Sequence, residues 1–161
     1  MFMLPSLDET IESDKSPEEI SQIMGAITVS RRERYFADMR GEFVGEIDMT
    51  GFKVMSNIHH RNSFLPVITG SIRTEGNRSI IAIKMRMHPL TSVFSVIWLS
   101  GVAVFLLIGI CIACVDRNAS SLMLICMSAG MMLFGQLLIR GGFYGPARKA
   151  IARLRELFEV S

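Results

Sequence analysis

The densest run of reactive side chains in this sequence is His59-His60-Arg61-Asn62-Ser63. Two imidazoles beside a hydroxyl are raw material for a metal centre or for acyl transfer. Neighbouring residues of an extended segment point to opposite sides, however, so His59 and His60 cannot close on one ion unaided. His88 adds one further imidazole, and Cys111, Cys114 and Cys126 all lie inside apolar runs. Ser63 has neither the G-x-S-x-G nor the S-x-x-K surroundings that activate a serine. Cys111-Ile112-Ala113-Cys114 carries the C-x-x-C spacing of redox pairs, but an apolar span supplies no cation or helix N-terminus to stabilise a thiolate. These cysteines read as small packing residues. Phosphate-cradling G-x-x-x-x-G-K and G-x-G-x-x-G patterns do not occur. Nothing assembles an acid, a base and a nucleophile, so the expectation is a non-enzyme with no catalytic, cofactor-binding or metal-binding residues and no cofactor.

The elements around these residues are dominated by two apolar runs. TSVFSVIWLSGVAVFLLIGICIACV extends from Thr91 to Val115 and SSLMLICMSAGMMLFGQLLI from Ser120 to Ile139, each without a charged residue. About 20 helical residues cross a ~30 Å hydrocarbon layer, and the first run would be roughly 37 Å long as a helix. Runs with no charge to solvate a face read as membrane spans, not as a buried hairpin of a soluble core. Within them, Gly109-x-x-x-Ala113 and Gly130 permit close helix approach, and Gln136 is the single amide available for a bond across helices. Ser92, Ser95, Ser128, Gly130 and Gln136 are the residues that could face a narrow lumen if several hairpins assembled. With no ionisable side chain in either span, one copy has no proton or ion path.

Charge is distributed unevenly along the 161 residues, although the net value is only +2. Asp8, Glu9, Glu12, Asp14, Glu18 and Glu19 make the first thirty residues acidic, whereas the middle and the end are basic. Arg73, Arg78, Lys84 and Arg86 precede the first span; Arg140, Arg148, Lys149, Arg153 and Arg155 follow the second; the link has Arg117 beside Asp116. The positive-inside rule then places both termini in the cytoplasm and the link outside. The basic residues flank spans and form no aromatic-interleaved stripe, which argues for membrane lipids and against nucleic acid as partner. The opening MFMLPSLDETIESD is acidic without a useful apolar stretch, so the first span is expected to be its own insertion signal.

Outside the spans, residues 1–15 read as a loose, disordered acidic tail. Ser16-Pro17-Glu18-Glu19 is a capping box that starts a helix over about 17–28, with Ile20, Ile23, Met24 and Ile27 on one face. Alternation over Phe43–Asp48, a turn at Thr50-Gly51 and alternation over 52–58 predict one β-hairpin. Pro66–Arg73, a turn at Glu75-Gly76-Asn77 and Ser79–Met87 predict another, ended by His88-Pro89. After a break at Arg140–Gly145, Pro146 opens an amphipathic helix with Ala147, Ala150, Ile151, Leu154, Leu157 and Phe158 on one stripe and Arg148 and Lys149 facing away. It lies either on the lipid surface or over the sheet. The expected fold is thus an α+β membrane protein: a cytoplasmic domain over 16–89 with one helix and a four-stranded antiparallel sheet, a transmembrane hairpin over 90–139, and a basic amphipathic helix over 140–161.

The block RNSFLPVITGSI, followed by KMRMHP before a span containing Phe and Trp, resembles small two-span membrane proteins of bacteria of unassigned function. The resemblance covers roughly residues 42–100 and implies a bacterial inner-membrane protein with a membrane-anchored β-rich module; it transfers no site residues. The function expected is binding of a protein partner at the cytoplasmic membrane face, with homo-oligomers expected because a small sheet with an uncovered apolar face associates. The competing readings are a membrane-permeabilising effector of an anti-phage or toxin system, assembled from several hairpins, and an immunity protein against a membrane-acting toxin.

Overall fold

Residues 4–30, 41–58, 62–115 and 118–159 are described in the computed structural model, and they contain six strands and three helices. The order is β1 (Ser6–Ser13), α1 (Pro17–Ile27), β2 (Thr28–Val29), β3 (Phe43–Asp48), β4 (Gly51–Ser56), β5 (Pro66–Glu75), β6 (Arg78–Met87), α2 (Pro89–Val115) and α3 (Ala119–Phe158). They divide into two compact units. Residues 5–88 with 142–161 form the sheet unit, and residues 89–141 together with Leu4 form the hairpin unit.

In the sheet unit the strand order is β1-β6-β5-β4-β3-β2, antiparallel except for the parallel β2–β3 pair. Both predicted hairpins are present, but the sheet has six strands where four were expected. The added edge strand β1 comes from the acidic segment read as a loose tail. Asp8, Glu12 and Asp14 pair with arginines of the neighbouring strand β6 and Glu9 pairs with Arg155 of α3, so a composition that looks unfoldable locally is neutralised by residues remote in sequence. Strand β2, two residues long, is too short to leave a periodic signal. Helix α1 starts as its capping box dictates: Glu19 N–H donates to Ser16 Oγ (3.2 Å) and Ser16 N–H donates to Glu19 Oε2 (2.9 Å).

One sheet face is apolar and covered. Ile11, Ile81, Ile83, Met85, Ile68, Ile72, Phe52 and Val54 alternate inward along four strands and are buried. Ile20 and Met24 of α1 and Phe143, Ala147, Ala150, Leu154 and Phe158 of α3 are buried with them. Each large side chain withdrawn from water in this way contributes about 1.5–3 kcal/mol before entropy is counted. A Cβ at Gly70 would collide with the Phe52 ring, so glycine there lets that ring lie across β5. Phe52 in turn packs against Phe158 with ring centroids 6.4 Å apart.

Helix α3 departs from expectation. In place of a break at 140–145 and a new helix at Pro146, one helix runs from Ala119 to Phe158 with Pro146 inside it. An interior proline costs about 3 kcal/mol, because the carbonyl four residues earlier loses its donor and meets the proline ring. Here that carbonyl, on Gly142, accepts from Asn62 Nδ2 at 2.8 Å.

The hairpin unit holds α2 and the first part of α3. Both are long and apolar enough to cross a membrane, with mean hydropathies of 2.7 and 2.1 over their most apolar windows. Their buried positions recur every seven residues: Ser95, Val102 and Gly109 on α2, and Ser121, Ser128 and Gly135 on α3. A seven-residue repeat keeps one seam facing a partner helix, and small residues on it bring the backbones close.

Candidate partner-binding surfaces

Of the run His59–Ser63, only Asn62 and Ser63 are among the described residues. His59, His60 and Arg61 lie outside the described residues, and among the described residues no group of three or more His, Cys, Asp or Glu could hold a metal ion. Ser63 is exposed in a turn. Asn62 is the working member of the run: besides donating to Gly142, its Oδ1 accepts from the Phe64 N–H at 3.0 Å. Nothing in its sequence neighbourhood announces this, because the partner carbonyl lies 80 residues away.

On the second face of the sheet the described residues are mostly exposed or half-buried, with Val44 buried beside Met55. Register places Asp8, Lys84, Thr69, Lys53 and Glu46 in one row across five strands, all exposed. Opposite charges face each other at both ends of the row, which stabilises the pairing and leaves two ammonium groups flanking a hydroxyl at its centre. Half-buried Val67, Met55, Ile80 and Ala82 lie among these charges. Arg86 forks onto Asp8 (Nη1–Oδ1 2.8 Å, Nη2–Oδ2 3.0 Å), and this bond holds the Asp8 carboxyl below its usual pKa and raises that of Arg86. Arg78 pairs with Glu12 and Asp14 at the same edge. The face therefore presents interleaved charges of both signs.

The last turns of α3 carry a second charge pattern. Arg153 Nε and Nη2 donate to Glu42 Oε2 and Oε1, both at 2.8 Å, and Nη1 donates to Glu156 Oε2 at 2.7 Å. The guanidinium beside Glu42 lowers that carboxyl's pKa, and the two acids raise that of Arg153. Arg155 pairs with Glu9 and Glu159. The helix end is fastened too, since Ser13 Oγ (2.6 Å) and Lys15 Nζ (3.4 Å) donate to the Phe158 carbonyl. Arg148 and Lys149, about one turn before Arg153, are exposed and pair with no carboxylate among the described residues. Of the stripe named from sequence, Leu154 and Phe158 are fully buried while Ile151 and Leu157 are half-buried. In the structure, then, this stripe packs over the sheet.

Within the hairpin unit, Gly109 is buried against Ile125, where an added Cβ would sit 3.0 Å from its side chain. Ala113 and Gln136 are half-buried, and Gly130 meets nothing within 4 Å. The closest approach is one the sequence reading missed: a Cβ at Gly135 would collide with the Trp98 ring. Its signal was the seven-residue spacing from Ser121 and Ser128. The lumen candidates do not share a face, for Ser95 and Ser128 are buried, Ser92 and Gln136 are half-buried and Gly130 is exposed. An open apolar groove of about 450 Å³ lies between Trp98, Gly101 and Phe105 of α2 and Leu124, Met127 and Met131 of α3.

Comparison with protein-family models, with curated proteins and with solved structures yields no match to this chain.

Proposed function

We propose that this chain is a non-enzymatic bacterial inner-membrane protein, anchored by the α2–α3 hairpin, whose sheet unit binds a protein partner at the cytoplasmic membrane surface through its open face. The observation that carries the reading is the inverted burial of the hairpin. Only 17% of the most apolar window of either helix is buried, whereas the core helix of a soluble protein would be mostly buried. What is buried includes Ser95, Ser121, Ser128 and Gly109, while Phe94, Phe105, Leu133 and Phe134 are exposed. A surface of that composition suits hydrocarbon, and its polar groups are spent on the seam instead of a water path.

Two further observations support the orientation and the partner. Among the described residues Arg148 and Lys149 have no carboxylate partner, on a helix whose more distal arginines have them, as expected where anionic headgroups supply the charge. The open sheet face mixes both signs around half-buried apolar residues, a composition suited to a protein surface and poorly suited to a polyanion. Alkaline-phosphatase fusions test the topology: a fusion after Asn118 should be active and one at Ser161 inactive, and the reverse pattern overturns the orientation. Strong expression with a potential-sensitive dye tests the anchor role. Unchanged membrane potential is expected; depolarisation abolished by Gly109→Leu would instead support the permeabilising effector.

A further inference from the structure

The loop after the second histidine and the proline inside α3 belong to one device. Pro146 has no N–H, so the Gly142 carbonyl cannot receive the regular α-helical bond from four residues on. Asn62 Nδ2 takes the missing donor's place at 2.8 Å. The other half of the same amide accepts from Phe64 N–H at 3.0 Å, and Leu65 N–H donates to the Asn62 carbonyl at 3.3 Å, so the side chain is held by a small turn of its own. Each end of the amide thus meets the partner its chemistry needs, nitrogen to carbonyl and oxygen to N–H. Gly142 completes the fit. A Cβ there would sit 2.9 Å from Phe64 Cβ and 3.2 Å from Asn62 Oδ1, and would push the loop off the helix. Leu65 and Phe143, adjoining the contact on either side, are buried.

We propose that loop 62–65 is a clasp that decides whether α3 is helical across residues 142–146. Engaged, it supplies the hydrogen bond that Pro146 removes and the helix runs through. Released, it leaves a carbonyl without a donor in a segment, Gly142-Phe143-Tyr144-Gly145-Pro146, whose glycines and proline favour unwinding. Two states of one helical segment, selected by one side-chain amide, make a conformational switch whose control point is the loop. This gives the Asn62–Leu65 stretch a role that neither metal binding nor catalysis accounts for.

The test is a double-mutant cycle on the full chain in detergent or nanodiscs, read by hydrogen exchange of the amides of residues 143–145 and 147–150. Asn62→Ala should speed their exchange about tenfold, the ratio expected for losing one hydrogen bond of ordinary net strength. Asn62→Asp keeps the acceptor for Phe64 but has no donor, and should do the same. In a Pro146→Ala background, residue 146 regains an N–H for Gly142, and Asn62→Ala should change exchange by less than about twofold. Equal acceleration in both backgrounds would reduce Asn62 to ordinary loop packing and overturn the clasp. So would no acceleration in either, because the carbonyl would then be satisfied without the amide.

Discussion

The hairpin and the sheet unit bury different mixtures of residue. In the sheet unit Ile68, Ile81, Met85 and Phe158 are inside and Lys53, Lys84 and Glu12 are outside. In the hairpin, Ser95, Ser121, Ser128, Gly109 and Gly135 share the seam with Leu99, Val102 and Ile139, while the phenylalanines and most other large apolar side chains cover the surface. Hydrophobic burial drives the first arrangement, since water penalises exposed apolar area. It cannot drive the second in hydrocarbon, where leucine gains nothing by leaving the surface and close backbone approach decides what lies inside. On the proposed membrane reading, one chain carries two folding codes, each matched to its own solvent, with the change lying near His88 and again near Gly141 in sequence.

The contrast can be broken hardest at Leu154. Leu154→Asp places an unpaired charge on a fully buried position of the sheet unit and should cost about 3–5 kcal/mol. The sheet unit should lose its cooperative unfolding transition and its protease resistance. Phe105, a larger side chain but 59% exposed, should tolerate alanine with little change in the same assays.

Within the hairpin the comparison sharpens at glycines. Gly135→Leu drives a side chain into Trp98 and should cost about 1–3 kcal/mol, read as lost resistance of the hairpin to detergent unfolding. Gly130→Leu, at a position with nothing within 4 Å, should be close to neutral. If both cost the same, the seven-residue seam is not what holds the helices together.

These pairs of residues also show what the sequence could reveal. Strands β3 to β6 and the start of α1 were legible because alternation, turn glycines and a capping box are local signals. Strand β1 was not: Asp8 finds Arg86 78 residues away and Glu9 finds Arg155 146 residues away, so its charges look unpaired until the fold is known. Continuity of α3 was hidden for the same reason, because the glycines and Pro146 announce a break while the Asn62 bond to the Gly142 carbonyl comes from 80 residues away. The hairpin was half legible. Gly109 stood out as a small residue, but the Trp98–Gly135 contact needs the register between helices. The open sheet face was least legible, since only the covering of the other face defines it.

Charge offers a smaller lever on the same comparison. Neutralising Arg140, Arg148 and Lys149 to Gln should weaken the orientational bias by about 1 kcal/mol per residue near an anionic surface, seen as rising reporter signal at Ser161. Arg153→Gln, whose charge is engaged by Glu42 and Glu156, should leave orientation unchanged and act on the sheet unit alone.

Acid should touch the sheet unit and spare the hairpin. Asp8 and Glu42 both have pKa values lowered in the folded state, by Arg86 and Arg153 respectively. Their stabilising contribution is therefore present above the ordinary carboxylate range and disappears as pH falls through the lower folded values. Thermal stability of the sheet unit should be flat from neutral pH to about 5 and decline below about 4, less steeply in Glu42→Gln. The pairs are exposed and the effect will be modest.

The native cysteines permit the most direct test of the two-solvent account. Cys126 is exposed on the surface of α3, seven residues into the helix. In membranes prepared without detergent, a water-soluble maleimide should leave Cys126 unmodified until the bilayer is dissolved, because a thiol in hydrocarbon neither ionises nor meets the reagent. A single cysteine introduced at Thr69, exposed on the open sheet face, should label within minutes in opened membranes. Labelling of Cys126 in the intact bilayer at the rate seen for Thr69→Cys would place the hairpin in water and contradict the account.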